Sequence, residues 1–529
     1  MQNANCLQLF RFNDRRSVPS ISRHAAIAVL LTFSLPCAAQ SSSVAAASND
    51  GDTKAVLQEL QSEIHELKGM VVQLQQETVS SRAEIGRLRE ELAVERGSNA
   101  SNATVDEQSP AYDAAQLQQR VDQLEEGQQL LSDKLDTQYQ TKVESASKYR
   151  IRLSGIVLFN LFGDSGSVDN QDVPTSAMPP STMTSSGSVG GTLRQSIIGL
   201  EAFGPDFLGA RTSANVNFDF GGGFPAVYNG VDSGLARLRT AAVRLDWKDT
   251  SIIAGQDQLF LSPLAPTSFA SLIVPPLSYA GNLWAWTPQL RVEHRFALSE
   301  NSRLTLQGGI LDPLTGQPPA DMDYAYYRTP DAGEQSRQPA WAARVAYSHS
   351  LFGQEFTIGA GGYYSRQNWG YGGIVNGWAG TMDANLPLGK MFTLSAEFYR
   401  GAAIGGIGGA LGRSVTYSLP LANPDTYVNP VNDVGGWAQL KYRATPKLEF
   451  NAAFGQDSPF AADVRYFGEQ SLSYAPAYFT ANRTAFGNVI YRPRSDLLFA
   501  AEYRRLRTFT IYDTSYKAGQ VNMSMGVLF

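Results

Sequence analysis

The chain ends on VNMSMGVLF, residues 521–529, in which apolar and polar residues alternate. Apolar side chains occupy the odd positions, whereas Asn522, Ser524 and Gly526 occupy the even ones. A period of two residues is typical of a β-strand with one apolar and one wet face. The pattern continues to the final residue, Phe529, although the ends of soluble domains usually fray into water. The stretch therefore predicts a strand that is held to its last residue.

This end resembles the last strand of bacterial outer-membrane β-barrels, which closes against the first strand and carries a terminal Phe read during assembly. The resemblance implies an all-β transmembrane barrel and a contact between Phe529 and the barrel-assembly machinery. Charged residues make up 17% of the 529 residues, below the ~25% of soluble domains. A soluble antiparallel domain remains the alternative at this point.

The first 39 residues are typical of a secretory signal peptide. Four arginines precede an apolar stretch at 25–35, and Cys37 and Ala39 supply the small residues before a cleavage site. A lipoprotein signal and a twin-arginine signal fit these residues less well. Because the only other cysteine is Cys6, the mature chain would contain no disulfide and no thiolate metal site.

Residues 40–148 are predicted to form a helical coiled-coil stalk. A heptad repeat of apolar residues runs unbroken over 57–92, a break lies near 97–113, and a weaker repeat follows at 117–138. The stalk contains 10 basic and 19 acidic residues, so we expect a solvated arm that does not bind nucleic acid. Coiled coils need partner helices, which predicts a homo-oligomer. The repeat alone does not distinguish a dimer from a trimer.

From residue 149 to 529 the apolar period changes to two, which predicts a barrel of about 16 antiparallel strands. The candidate strands are 149–162, 192–203, 210–220, 236–247, 250–258, 287–298, 302–311, 340–350, 355–366, 377–386, 391–400, 434–444, 448–457, 481–492, 497–508 and 519–529. Short and long connections alternate, as in barrels with periplasmic turns and long outer loops. An even strand count places both barrel ends, and so the stalk, in the periplasm.

Alternation also predicts which side chains face the lumen. About sixteen strands enclose a water-filled interior, and polar residues should line it. The predicted pore-lining, anion-binding residues are Arg211, Arg244, Arg291, Arg295, Arg344, Lys441, Arg443 and Arg504. Arginine keeps its charge and presents a planar fork to carboxylates, and rings of such residues select anions. Pairing with inward carboxylates, which would stiffen the wall, is the alternative role. The apolar loop 259–286 is expected to fold into the lumen or to cover a subunit contact.

The chain resembles the DcaP-like trimeric porins in the heptads at 57–92, the entry strand YRIRLSGIVLFNLFGD at 149–164, the sixteen-strand count and the terminal Phe529. The resemblance implies a trimer in the outer membrane, with a periplasmic coiled coil, that takes up small anionic solutes such as dicarboxylates. It implies no cofactor, no metal and no catalytic residue.

Two other functions remain open. A structural tether between outer membrane and cell wall would have a closed barrel. A barrel hydrolase would need a nucleophile, for which the GDSG sequence at 163–166 is the only candidate, and the mature chain has only His65, His294 and His349 as bases.

Overall fold

The computed structural model describes most of the chain from residue 150 onward. The described residues are 150–180, 186–224, 234–316, 328–467 and 479–529. The predicted signal peptide (1–39) and coiled-coil stalk (40–148) lie outside them. No helix in the described part is long and apolar enough to cross a membrane.

Strands dominate the described residues, and each is numbered in chain order. They are β1 Arg150–Ser165, β2 Gly187–Thr192, β3 Ile197–Phe203, β4 Arg211–Asp219, β5 Arg237–Asp246, β6 Thr250–Gln258, β7 Trp286–Ser299, β8 Ser302–Leu311, β9 Ala340–Leu351, β10 Gln354–Asn368, β11 Ile374–Pro387, β12 Phe392–Ala402, β13 Val415–Tyr417, β14 Val428–Pro430, β15 Asn432–Thr445, β16 Leu448–Pro459, β17 Phe479–Tyr491, β18 Leu497–Thr510 and β19 Ser515–Leu528. One short helix, α1, spans Ala461–Arg465, and 3-10 turns occupy Glu334–Ser336, Gly370–Gly372, Gly405–Ile407 and Ala410–Gly412.

The strands form one closed antiparallel barrel, which confirms the predicted fold class. Both β2 and β3 pair with β1 and together make one interrupted barrel strand. With β13 and β14 set aside as a separate two-stranded hairpin, the described residues supply sixteen barrel strands. The prediction of one continuous strand at 192–203 was wrong. The ladder breaks at 193–196, where the Ser196 hydroxyl accepts the backbone N–H of Leu158.

The terminal stretch closes the barrel as predicted. β19 pairs with β1 from Ser165 opposite Gly519 to Ile156 opposite Leu528. The ladder continues past the strand, because the Gly155 N–H donates to the Phe529 carbonyl at 2.9 Å and the Phe529 N–H donates back at 3.1 Å. A sheet within lipid must pair every backbone group, and closure leaves no free edge.

The wall has its apolar face outside. On β19 the side chains of Val521, Met523 and Met525 are about half exposed, whereas Asn522 is 1% exposed. The other long strands repeat this alternation. An apolar outer band with a polar interior is the pattern of a barrel whose solvent is lipid.

The connections separate the two ends of the barrel. The short-turn end has the connections 204–210, 247–249, 300–301, 352–353, 388–391, 446–447 and 492–496, and all the longer segments lie at the opposite, long-loop end. The two-residue turn Phe352–Gly353 has φ of 54° and 75°. Two successive positive φ values make a type I′ turn, whose twist matches that of the flanking strands.

The main apolar core lies inside the barrel, towards the long-loop end. Residues 259–285, here called the inward loop, pack together with the segment 403–414 against the inner faces of β8 to β12. Leu261, Ile404 and Tyr399 in this core are at most 2% exposed. The barrel therefore has a packed plug of loops on one side of its interior, beside polar walls.

Candidate pore-lining site

Charged and polar side chains on the inner wall form two hydrogen-bonded ladders. The first begins on β5, where Arg244 Nε lies 2.7 Å from an Asp246 carboxylate oxygen. Ser251 on β6 accepts from both Arg244, at 3.1 Å, and Arg295 on β7, at 3.0 Å. Arg295 in turn donates to Glu293 at 2.7 Å. Two of the predicted arginines are thus joined through one hydroxyl.

The same ladder continues across three further strands. Gln307 on β8 donates to Glu293 at 2.9 Å and accepts from Arg344 on β9 at 3.1 Å. Arg344 then pairs with Asp383 on β11 through two hydrogen bonds of 2.8 and 2.6 Å. β10 lies between β9 and β11, and the Arg344–Asp383 pair crosses over its Gly359. A Cβ at residue 359 would come within 2.6 Å of both Arg344 and Asp383. This glycine is required by a close approach of charged groups over its backbone.

The second ladder lies on β15 to β18. Lys441 and Arg443 approach Glu449 at 3.5 and 4.0 Å. Glu449 accepts from Asn451, which donates in turn to Asn488. Asn488 on β17 donates at 3.1 Å to the next carboxylate, Glu502.

Glu502 holds the buried end of this ladder. Arg504 Nη2 donates to it at 2.8 Å, and both side chains are less than 5% exposed. The remaining terminal nitrogen of Arg504 donates to the carbonyl of Pro174 at 3.2 Å. Glu502 also accepts from Ser268 of the inward loop. This arginine is enclosed by partners and presents no free nitrogen to the lumen.

The structure therefore places seven of the eight predicted residues beside carboxylates. Arg291 also pairs, with Asp257 at 2.9 Å. Arg211, at the short-turn end of β4, is exposed and makes no hydrogen bond or ion pair with the described residues. The ladders bring Arg244, Arg295 and Arg344 together on one wall and Lys441, Arg443 and Arg504 on another.

The inward loop is fixed by side chains from many strands. The Glu397 carboxylate on β12 accepts from the Ser262 hydroxyl at 2.7 Å and from the Leu264 N–H at 2.8 Å. On the opposite wall, Asn160 of β1 donates to the Phe269 carbonyl at 2.8 Å. Further anchors to the loop come from Gln195, Arg237, Thr381, Gln439, Asn482 and Asn488. Of the two expectations for this loop, the structure has the one in which it folds into the lumen.

Two inward arginines on β5 were missed by the sequence analysis. A bulge shifts the register between Asn217 and Phe218 on β4 and leaves Arg239 unpaired on β5. Because a bulge moves the following side chains to the other face, Arg237 and Arg239 point into the lumen, where simple alternation from Val243 would put them in lipid. That conflict between charge and alternation was the signal available in the sequence.

Arg237 and Arg239 share one acid and one ring. Arg237 donates to Asp219 at 2.7 Å, and Arg239 Nε lies 3.6 Å from the same carboxylate. Both guanidinium groups stack over Trp286, at 4.9 and 4.7 Å from the ring centre. Arg239 Nη1 is buried and has no hydrogen-bond partner among the described residues. One positive charge at this point is therefore uncompensated.

A cavity of about 290 Å³ lies between this cluster and the inward loop. Arg239 and Trp286 line it on the wall side, and loop residues that include Ser262, Ser268 and Trp284 line the other side. The geometry combines a guanidinium whose Nη1 has no hydrogen-bond partner among the described residues, an aromatic face and hydroxyl groups. Such a set can bind a small carboxylate in partly dehydrated form.

One acidic group of the long-loop end has a shifted pKa. Partial burial and the nearby charge of Glu334 raise the pKa of Asp312 to about 6, and Arg328 acts in the opposite direction. Asp312 follows β8 directly, so protonation near this pH changes the charge at this end of the barrel.

No hydrolase triad is assembled from the described residues. Ser165 of the GDSG sequence belongs to β1, and its hydroxyl donates to the Gly519 carbonyl. His294 and His349 bond instead to Thr250 and Ser302, and His65 lies outside the described residues. The only candidate nucleophile and these two candidate bases are therefore engaged elsewhere.

Structural comparison finds the same fold in a solved outer-membrane channel, and lower structural similarity to two porins. The outer membrane channel DcaP of Acinetobacter baumannii matches with a TM-score of 0.53 and 15% identity, over 73% of this chain and 99% of that chain. An anion-selective porin from Comamonas acidovorans matches with a TM-score of 0.44 and 11% identity, over 72% of this chain and 100% of that chain. Pseudomonas putida OprB matches with a TM-score of 0.42 and 12% identity, over 72% of this chain and 94% of that chain.

Sequence comparison adds no relative: a scan against family profiles finds no match, and no curated protein matches significantly. The expected resemblance to the DcaP-like porins is confirmed at the level of the fold, a porin-type β-barrel.

Proposed function

We propose that this protein is an outer-membrane porin whose lumen conducts small hydrophilic anions, chiefly carboxylates, by passive diffusion. The observation that carries the proposal is Arg239, which shares the single carboxylate of Asp219 with Arg237, has a buried Nη1 without a hydrogen-bond partner among the described residues, and lines a cavity beside the inward loop. The lipid-facing apolar band and the polar interior of the barrel support a channel function, because a polar inner wall favours a water-filled lumen.

The placement of basic groups on the inner wall supports a preference for anions. The eight predicted residues together with Arg237 and Arg239 are ten basic groups, and the carboxylates paired with them are Asp219, Asp246, Asp257, Glu293, Asp383, Glu449 and Glu502. The basic groups outnumber these acids by three. The three basic groups in excess of these acids are Arg211, one of the two arginines at Asp219, and one of the pair Lys441 and Arg443. Glu397, Asp433 and Asp457 also face inward and form no ion pair with the described residues, so the anion preference is proposed from where the basic groups lie and not from the net charge of the wall.

The same proposal covers location and assembly. The long-loop end faces the outside, and the short-turn end faces the periplasm, where the stalk of residues 40–148 would emerge after removal of residues 1–39. A homo-oligomer is proposed from the heptads, and the resemblance to the DcaP-like trimeric porins makes a trimer the proposed state. Phe529, which extends the closing ladder, would be read by the assembly machinery.

The test is single-channel recording of the mature protein in planar bilayers under asymmetric KCl. We expect a stable conductance with a reversal potential that indicates anion preference. Arg239→Gln should lower the anion-to-cation permeability ratio about two- to threefold, because it removes one of the two positive charges that share the carboxylate of Asp219 beside the cavity. Arg494→Gln, which removes an exposed charge in the turn 492–496 at the short-turn end, paired with Asp496 at 2.9 Å, is the matched control. A cation-selective or ohmic, unselective channel would contradict the anion preference.

The two alternative functions, a structural tether and a hydrolase, predict different results in the same bilayer recordings. A silent barrel without hydrolytic activity would support the structural tether, and a silent barrel that cleaves ester or peptide substrates would support a hydrolase. Deletion of 263–280 sharpens the distinction, since removing the inward loop from a porin should raise conductance severalfold and should leave a tether silent or merely leaky.

A further inference from the structure

The outer wall carries a group of basic residues where a lipid-facing surface should be apolar. Near the long-loop end of three adjacent strands, Arg483, Arg505, Arg507 and Lys517 are all exposed on the outer face. We call these four residues the rim patch. Arg483 lies directly opposite Arg507, and Arg507 lies directly opposite Lys517. Like charges directly opposite each other on a sheet destabilise it, so this arrangement needs a compensating partner.

No acid in the described part of the chain supplies that partner. None of the four residues of the rim patch forms an ion pair there. The closest exposed acid on the adjoining turn, Asp513, pairs instead with Arg465, at 3.7 Å. The rim patch thus differs from the inner wall, where nearly every guanidinium has a carboxylate.

The arginines are held with their terminal nitrogens free. Arg483 and Arg507 both stack over the ring of Phe509, at 4.8 and 4.6 Å from the ring centre. Each uses only its Nε in a side-chain hydrogen bond, Arg483 to Gln456 at 2.6 Å and Arg507 to Ser515 at 3.2 Å. The paired terminal nitrogens of each fork remain open, which is the geometry that receives a phosphate in bidentate form.

The height of the rim patch on the wall identifies the source of the anion. At about 3.3 Å per residue and a tilt of roughly 40°, Arg505 and Arg507 lie about 20 and 25 Å above the start of β18. Below them the outer face is apolar or aromatic, with Phe499 and Tyr503 on β18 and Val521 and Met523 on β19. An apolar band about 25 Å tall ends at the headgroups of one leaflet. The rim patch therefore lies at the headgroup level of the outer leaflet.

We propose that the rim patch binds the phosphate groups of a lipopolysaccharide molecule whose acyl chains lie along β17 to β19. Two guanidinium forks, a third arginine and an ammonium can surround a doubly charged phosphate. The inference rests on the proposed outer-membrane location, with the long-loop end outside.

The experiment measures binding of fluorescent lipid A to the detergent-purified mature protein. Wild-type protein should bind lipid A at least about tenfold more tightly than dephosphorylated lipid A, and inorganic phosphate should compete only at far higher concentration. The variant Arg483→Gln/Arg505→Gln/Arg507→Gln/Lys517→Gln should lose about tenfold in affinity. Arg303→Gln/Arg494→Gln, which removes two exposed charges at the opposite end, is the control and should bind as wild type.

Three outcomes would overturn the proposal. Equal binding of lipid A and dephosphorylated lipid A would show that the acyl chains alone are recognised. Unchanged lipid A binding by the rim-patch variant would place the lipid elsewhere. Loss of the oligomer in that variant, with lipid A affinity unchanged, would assign the rim patch to a second copy of the chain. The double variant Arg505→Gln/Lys517→Gln, which spares the Phe509 stack, tests the same point if the quadruple variant folds poorly.

Failure of this proposal is distinguishable from failure of the proposed function. A protein that conducts anions but does not distinguish the two lipids contradicts only the rim patch. A protein that binds lipid A through the rim patch but is silent in bilayers contradicts only the channel.

Discussion

Two neighbouring arginines on β18 have opposite environments. Arg504 faces inward, its side chain is 3% exposed, and its guanidinium is 2.8 Å from Glu502. Arg505 faces outward, is exposed, and has no ion-pair partner among the described residues. The two residues are adjacent in the chain, yet the charge of Arg504 is compensated by the protein, whereas the charge of Arg505 would be compensated by a ligand in the membrane. In a barrel, therefore, the direction in which a basic side chain points decides whether it pairs with acids of the inner wall or is left to interact with the membrane and solvent.

The same contrast holds for the two surfaces as wholes. On the inner wall the charged groups form continuous ladders, because a low-dielectric neighbourhood makes an unpaired charge costly. At the rim the charges lie near water and headgroups, where solvent and counter-ions reduce that cost. Arg239 departs from this rule inside the barrel, because its buried Nη1 has no hydrogen-bond partner among the described residues.

The largest expected effect comes from breaking a buried pair. Glu502→Gln leaves Arg504 charged and without its carboxylate in a buried position, which should lower the free energy of unfolding by about 3 kcal/mol. Urea unfolding in detergent measures it. Arg505→Gln on the same strand is the matched control, and its effect should stay within about 0.5 kcal/mol. Equal losses in the two variants would contradict the contrast between the two faces.

The next effect concerns an anchor of the inward loop. Glu397 accepts three hydrogen bonds, from Ser262, Leu264 and Trp437. Glu397→Leu removes both acceptor oxygens and so all three hydrogen bonds, and the loop should move, so that single-channel noise and mean conductance rise by about a factor of two. Glu355→Leu, at the exposed pair with Arg303, is the control. An unchanged noise spectrum would mean that the other anchors suffice.

A smaller effect should appear in selectivity. Asp383→Asn leaves the guanidinium of Arg344 without its charged partner and adds one net positive charge to the first ladder. The anion-to-cation permeability ratio should therefore rise by about a factor of two, opposite to the change expected for Arg239→Gln. Reversal potentials in asymmetric KCl compare the two variants directly. A fall in the ratio for Asp383→Asn would argue that these pairs act only as wall stiffeners.

The smallest expected effect is a pH dependence at the long-loop end. The pKa of Asp312 is raised to about 6, first by burial and then by Glu334, against about 3.9 in an unfolded chain. A raised carboxyl pKa means that the folded state binds the proton more tightly, so stability of this segment falls as the pH rises from about 4 through 6. Hydrogen exchange at residues 312–316, corrected for intrinsic rates, should be slower at pH 5 than at pH 7. Asp312→Asn should remove the difference.

Much of the fold could be predicted because the alternating pattern is local. The alternation within each long strand predicts which of its side chains face the lumen and which face outward. The short turns, which can be recognised locally, distinguish the two ends of the barrel. The interruption at 193–196 could not be predicted in this way, since it depends on Ser196 bonding across to Leu158 on another strand. The hairpin of β13 and β14 was missed because its strands have only three residues each.

The candidate site could be predicted only in part. Alternation indicated the inward facing of Arg244, Arg344 and Arg504. Asp246 and Glu502 lie two residues from Arg244 and Arg504 on the same strands and share their facing, whereas Asp383, the partner of Arg344, lies on another strand. The bulge that turns Arg237 and Arg239 inward depends on the pairing of β5 with β4. The length and apolar composition of the inward loop predicted that it would be buried. They did not predict which strands anchor it.

The sequence by itself determined that strands of alternating character should close into a barrel with a polar interior, because a period of two is written residue by residue. Only the tertiary structure decided which charges are neutralised, where the inward loop is fixed, and which arginines remain free. Those features depend on contacts between residues far apart in the chain, such as Ser268 with Glu502 and Asn160 with the Phe269 carbonyl. The alternation of adjacent residues carries no information about such long-range contacts, whereas the closure of the barrel brings these residues together.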